Sequence, residues 1–126
     1  MQVFQSTLFI HDGVQMINYK NEPLLVGDFT HNRIEFFHLS HKKWYAASPY
    51  PYENKLFGYA AVWRQDKVFI IGGCGGSERI LSRLATFEND EWLTIGYLQQ
   101  SRMNFLAIQY GTDLLIFGGM TSISQP

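Results

Sequence analysis

The sequence predicts an all-β chain, on three observations. Its apolar residues fall in short runs rich in Val, Ile, Phe, Tyr and Trp, each about four to six residues long. Turn-forming clusters separate those runs, among them Asn21-Glu22-Pro23, Gln65-Asp66-Lys67 and Gly111-Thr112-Asp113. No 3.6-residue periodicity persists, and the nearest helical stretch, 82–87, coincides with a repeated strand. Composition agrees: of 126 residues, 46% are hydrophobic and 16% aromatic, which places the chain well inside the globular class.

The runs recur at a fixed period. Leu24-Leu25-Val26-Gly27-Asp28, Phe69-Ile70-Ile71-Gly72-Gly73 and Leu115-Ile116-Phe117-Gly118-Gly119 share one pattern, and Gly27, Gly72 and Gly118 are spaced 45 and 46 residues apart. Trp44 and Trp92 lie 48 apart, and Phe37 and Phe87 lie 50 apart. A further apolar run precedes each glycine pair, at 14–19, 59–63 and 105–110. Each unit therefore holds four strands, lettered a to d. In the fullest unit they are predicted at 59–63, 67–71, 84–88 and 92–95. Glycine at the end of strand b permits a tight turn where no side chain fits, and the Trp of strand d offers a large apolar face.

Four strands in about 46 residues match one blade of a β-propeller. The predicted units are 11–46, 58–95 and 105–126, with 1–10 a remnant outer strand of a preceding blade. Closed propellers have about four to eight blades, and an open stack exposes the apolar faces of its end blades. The expectation is therefore a propeller segment in an incomplete ring: a fragment of a larger propeller, or a chain that self-associates to close the ring.

The series Phe69-Ile-Ile-Gly72-Gly73, Phe87, Trp92 resembles the kelch repeat family, in which an apolar strand ends in Gly-Gly and is followed by an aromatic and then a Trp. The resemblance runs from about His11 to Gly119. The chain departs from that pattern with Phe37 and Phe87 where Tyr is usual, with Asp28 in place of the second glycine of the first unit, and with His11 at the position that Arg102 fills later. The structural repeat residues are Gly27, Phe37, Trp44, Gly72, Gly73, Phe87, Trp92, Gly118 and Gly119.

In an antiparallel meander the b–c and d–a loops share one face. Here those loops are the longer and more varied ones. They carry His31 and Arg33, then Arg79 and Arg83, then Tyr50, Tyr52, Ser101 and Arg102. Tyr and Arg are the residue types that dominate binding hot spots. In kelch proteins this face often receives a peptide or protein, so the resemblance implies a protein-interaction module of the substrate-adaptor or scaffold type. Arg33, Arg79, Arg83 and Arg102 together favour an acidic peptide. A second reading is a fragment of a propeller enzyme, such as a kelch-related carbohydrate oxidase, with its active site in missing blades. A third is a truncated gene product with no function of its own.

Other chemistry lacks its signature. The net charge is −1, and Lys42-Lys43, the longest basic cluster, reads as a solvated turn, so no nucleic-acid partner is expected. No apolar stretch reaches membrane-span length. Gly72-Gly73-Cys74-Gly75-Gly76 fits neither phosphate-loop pattern. His31, His38 and His41 lack convergent spacing for a metal. Cys74 is the single cysteine, which favours a cytoplasmic location and a free thiol. No catalytic residue, metal or cofactor is expected.

Overall fold

The computed structural model describes residues 15–20, 22–26 and 33–122. Among them all regular structure is strand: β1 (Gln15–Tyr19), β2 (Glu22–Val26), β3 (Ile34–His38), β4 (Lys43–Ala47), β5 (Ala60–Arg64), β6 (Lys67–Ile71), β7 (Arg83–Glu88), β8 (Glu91–Tyr97), β9 (Leu106–Tyr110) and β10 (Asp113–Phe117). They form three antiparallel sheets, β1-β2-β3-β4, β5-β6-β7-β8 and β9-β10, each strand paired to its neighbour in sequence and no sheet closed on itself. The remnant strand expected in 1–10, together with Gly27 and His31, lies outside the described residues. Among the described residues no helix is long and apolar enough to cross a membrane.

The turns follow from local chemistry. Arg64 pairs with Lys67 across Gln65-Asp66, and Glu88 pairs with Glu91 across Asn89-Asp90. All four loop residues have positive φ, between 51° and 64°. That is the two-residue turn whose twist matches its flanking strands. The β3–β4 connection is wider and closes with Lys42 N donating to His38 O at 2.8 Å. One predicted turn moves: Tyr19 pairs with Glu22, so Glu22 and Pro23 belong to β2. Pro23 is tolerated there because the register of β2 with β3 begins only at Leu24. β8 also runs past the predicted end at 95. Leu84 faces Gly96 and Ala85 faces Thr94, so Ile95 is the extra residue of a bulge and the strand continues to Tyr97.

Strand alternation puts two cores on either side of the second sheet. Val68 and Ile70 of β6 face one way, and join Leu24 and Ile34 of the first sheet with Tyr59, Ala85 and Phe87. Phe69 and Ile71 face the other way, towards Phe105, Ala107, Leu114 and Ile116. β6 is covered on both faces, which is why its sequence is a continuous apolar run rather than an alternating one. Each fully buried Val or Ile there stabilises by roughly 1.5–3 kcal/mol. β1 packs beside β5, and β5 beside β9.

The period seen in sequence reappears as hydrogen bonding. Phe57 and Cys74 bridge through two backbone bonds of 3.0 and 2.7 Å. Met103 and Met120, 46 residues on in each case, bridge the same way at 3.0 and 2.8 Å. Phe37 meets Trp44 edge-on at 5.2 Å, and Phe87 meets Trp92 at 5.0 Å.

Candidate functional site

The b–c loop of the second sheet, residues 72–82, is fastened from both sides by backbone hydrogen bonds. On one side Cys74 N donates to Phe57 O, and Gly76 N to Asn54 O at 2.6 Å. On the other, Gly73 N donates to Arg102 O at 2.8 Å, and Arg102 N to Leu81 O at 3.0 Å. Inside the loop Gly75 N donates to Arg79 O, and Glu78 N to Gly75 O. The loop is thus held between two d–a loops, and side chains from all three segments converge.

They enclose a cleft of about 290 Å³ lined by Glu53, Arg79, Leu81, Arg83, Tyr97 and Ser101, among others. Arg83 is its centre. Its guanidinium lies over the Tyr52 ring at 4.5 Å and 5.6 Å from the Tyr97 ring centroid. Its Nη1 donates to Thr94 Oγ1 at 2.7 Å. Two cation–π contacts and one hydrogen bond fix an otherwise flexible side chain, which lowers the entropy cost of using its remaining donors on a ligand. The exposed Arg79 reaches the mostly buried Glu53 carboxylate at 3.7 Å. A neighbouring hollow of about 460 Å³ shares Glu53 and extends over Tyr52, Lys55, Gly76 and Ser77.

Of the residues expected to bind a partner, Tyr52, Arg79, Arg83 and Ser101 are brought together around these hollows. Tyr50 is not available to a partner. It is 3% exposed and packs edge-on against Tyr52 at 5.5 Å and Trp92 at 5.2 Å. The Arg102 guanidinium turns towards the third sheet and donates to Gly118 O at 2.9 Å. Arg33 stands half-buried just before β3 and does not line this cleft. His31 lies outside the described residues. Sequence reasoning missed Glu53, Thr94 and Tyr97. Tyr97 had no signal in the sequence: regular pairing from the β7–β8 turn would set Gly96 opposite Arg83, and only the bulge at Ile95 brings Tyr97 there.

Burial pushes the Tyr50 phenol up to about 12; Arg83 opposes the shift, and Glu53 and Tyr52 add to it. The folded pKa is above the unfolded value of 10.0, so this contribution to stability is complete below pH 10 and is lost as pH rises from 10 towards 12. About 2 kcal/mol of stability should disappear over that window. Tyr50→Phe should flatten the decline in denaturant titrations between pH 9 and pH 12, and an unchanged slope would contradict the assignment. The Cys74 thiol is also pushed up, by burial first and then by Glu78 and Glu53, so it is held protonated rather than as a reactive thiolate.

Other polar groups are gathered elsewhere. His38 and His41 stack at 4.1 Å on the β3–β4 hairpin, where His41 N donates to His38 Nδ1 and His41 Nδ1 lies 2.8 Å from Tyr45 OH. Among the described residues no three His, Cys, Asp or Glu side chains gather as a metal site. A hollow of about 450 Å³ between the first two sheets, at the short-turn end, is lined by Leu24, Phe36, Ala47, Phe87 and Asp90, among others, and contains none of the predicted binding residues. No family model matches the chain, and no curated protein matches it in sequence.

Proposed function

We propose that the chain is a kelch-type β-propeller segment that acts as a protein-interaction module, taking an acidic peptide at the cleft around Arg83. The propeller reading draws support from the stacking of β1, β5 and β9, the first strands of successive sheets, and from the equivalent bridges 46 residues apart. The binding reading is carried by one observation: Arg83 is preorganised by Tyr52, Tyr97 and Thr94 inside a cleft built from three loop segments. Guanidinium is the side-chain group best matched to a carboxylate, which it grips through two parallel N–H donors. Glu53 already offsets Arg79 at the rim, so the peptide carboxylate belongs on Arg83.

The test is fluorescence anisotropy with a panel of short peptides, each acidic member paired with its amide counterpart. Acidic peptides should bind more tightly than their amides. A hydrogen-bonded charge pair is worth about 1.5–3 kcal/mol, so Arg83→Ala should weaken binding by roughly 10- to 100-fold. Arg83→Lys should recover only part of the loss, because it keeps the charge and not the fork. No difference between acidic peptides and amides would end the proposal.

A further inference from the structure

Two arginines in one cleft ordinarily suit a phosphate group. Glu53 changes that expectation. Among the described residues, the charged groups lining the cleft of about 290 Å³ are Arg79, Arg83 and Glu53. Two guanidinium groups and one carboxylate leave a single positive charge. The carboxylate is held in place. A Cβ on Gly75 would overlap Glu53 Oε1, so the Glu53 side chain lies flat on the 72–82 loop at a residue with no side chain of its own. Its side chain is 16% exposed, whereas that of Arg79, 3.7 Å away, is 71% exposed. An ion pair with so solvated a partner is weak. The field of Glu53 also reaches the same buried group as that of Arg83. Burial is the main cause of the upward shift at the Tyr50 phenol, and the next two are Arg83, which lowers it, and Glu53, which raises it.

We propose that Glu53 is a specificity-determining residue that restricts the cleft to a singly charged acid, the carboxylate of a peptide aspartate or glutamate, and rejects a phosphorylated residue. This inference rests on the acidic-peptide reading of the same cleft and names which acid it takes. One carboxylate brings the charge of the cleft to zero. A phosphoserine carries about −1.5 to −2 at neutral pH, so it takes the cleft past neutrality and sets the excess against Glu53. Gripping a phosphate with both arginines also means drawing Arg79 away from Glu53, at the cost of that ion pair. Arg83 meanwhile has Nη1 engaged by Thr94, which leaves a fork suited to one carboxylate. Like charge placed against the wrong ligand is a general source of discrimination between partners.

Anisotropy is read with one peptide in three forms, carrying glutamate, phosphoserine or glutamine at the same position. At about pH 7.5 the glutamate form should bind most tightly. The phosphoserine form should be weaker by on the order of tenfold, the effect of one extra unit charge at roughly 10 Å near a protein surface. At about pH 5.5 the phosphate is mostly a monoanion, and the gap should narrow; the glutamate peptide at both pH values corrects for titration of the protein itself. Glu53→Gln keeps the shape and removes the charge, so it should shift the affinity ratio towards phosphoserine by on the order of tenfold. A phosphoserine peptide that binds as tightly as glutamate at about pH 7.5 would overturn the proposal, and so would a gap that Glu53→Gln leaves unchanged. If Glu53→Gln does not fold, the pH series on the unaltered chain decides, and a gap that does not narrow overturns it. A glutamate peptide that binds no better than its glutamine form ends the acidic-peptide reading and this inference with it. A retained glutamate preference without a phosphoserine penalty ends this inference alone.

Discussion

Gly73→Ala should lower the unfolding free energy by about 3–4 kcal/mol, read as a fall in the urea midpoint with an unchanged m-value. Two separate costs combine. Gly73 sits at φ 99°, beyond the small left-handed region that L-residues enter. A Cβ there would also lie 2.9 Å from Phe57 O and 3.0 Å from Tyr59 Cβ. Phe57 O is the acceptor of Cys74 N, so relieving the clash opens the bridge that fastens the 72–82 loop. Gly118→Ala is the control. Gly118 has φ 67°, and a Cβ would meet nothing within 4 Å, so only the left-handed penalty of about 1–2 kcal/mol applies. Equal losses at the two sites would show that backbone conformation alone decides the cost.

That contrast marks how far the repeat was legible. Glycine after each apolar strand was readable from spacing, and so were the strands themselves, because alternation and turn chemistry are local properties. The demand placed on each glycine was not. Gly72 and Gly118 occupy the same position of the repeat, yet a Cβ at Gly72 would lie 2.7 Å from Arg102 O while Gly118 faces open space. The difference is made by Arg102, thirty residues from Gly72 in sequence.

The candidate site divides in the same way. Arg79, Arg83 and Ser101 could be assigned to the loop face from the meander order alone. Whether a loop tyrosine faces water or the core could not, because Tyr50 and Tyr52 are separated by one proline and differ only in what lies opposite. Tyr50 meets Trp92 of the second sheet, and Tyr52 meets Arg83. Arg102 looked like a fourth cation for a ligand because composition does not show that Gly118 O waits for its guanidinium. Long-range partners of this kind depend on how the sheets stack.

Trp92→Ala should cost about 3 kcal/mol, at the lower end for Trp truncation because the ring is only partly buried. Its ring contacts Phe87 at 5.0 Å and Tyr50 at 5.2 Å, and its Nε1 donates to Ser48 O at 2.9 Å. Ser48 is held in turn by Asp90, whose Oδ1 accepts from Ser48 N at 2.6 Å and whose Oδ2 accepts from Ser48 Oγ at 2.9 Å. Trp92 and Asp90 therefore clamp the segment leaving the first sheet onto the last hairpin of the second. Trp92→Phe keeps most of the ring area and loses the indole donor, so about 1 kcal/mol should go with it. Asp90→Ala acts on the same segment. If the three groups work as one clamp, the double variant Trp92→Phe/Asp90→Ala should cost less than the sum of the single changes. Strict additivity in denaturant titrations would mean that the ring packs and the turn caps independently of each other.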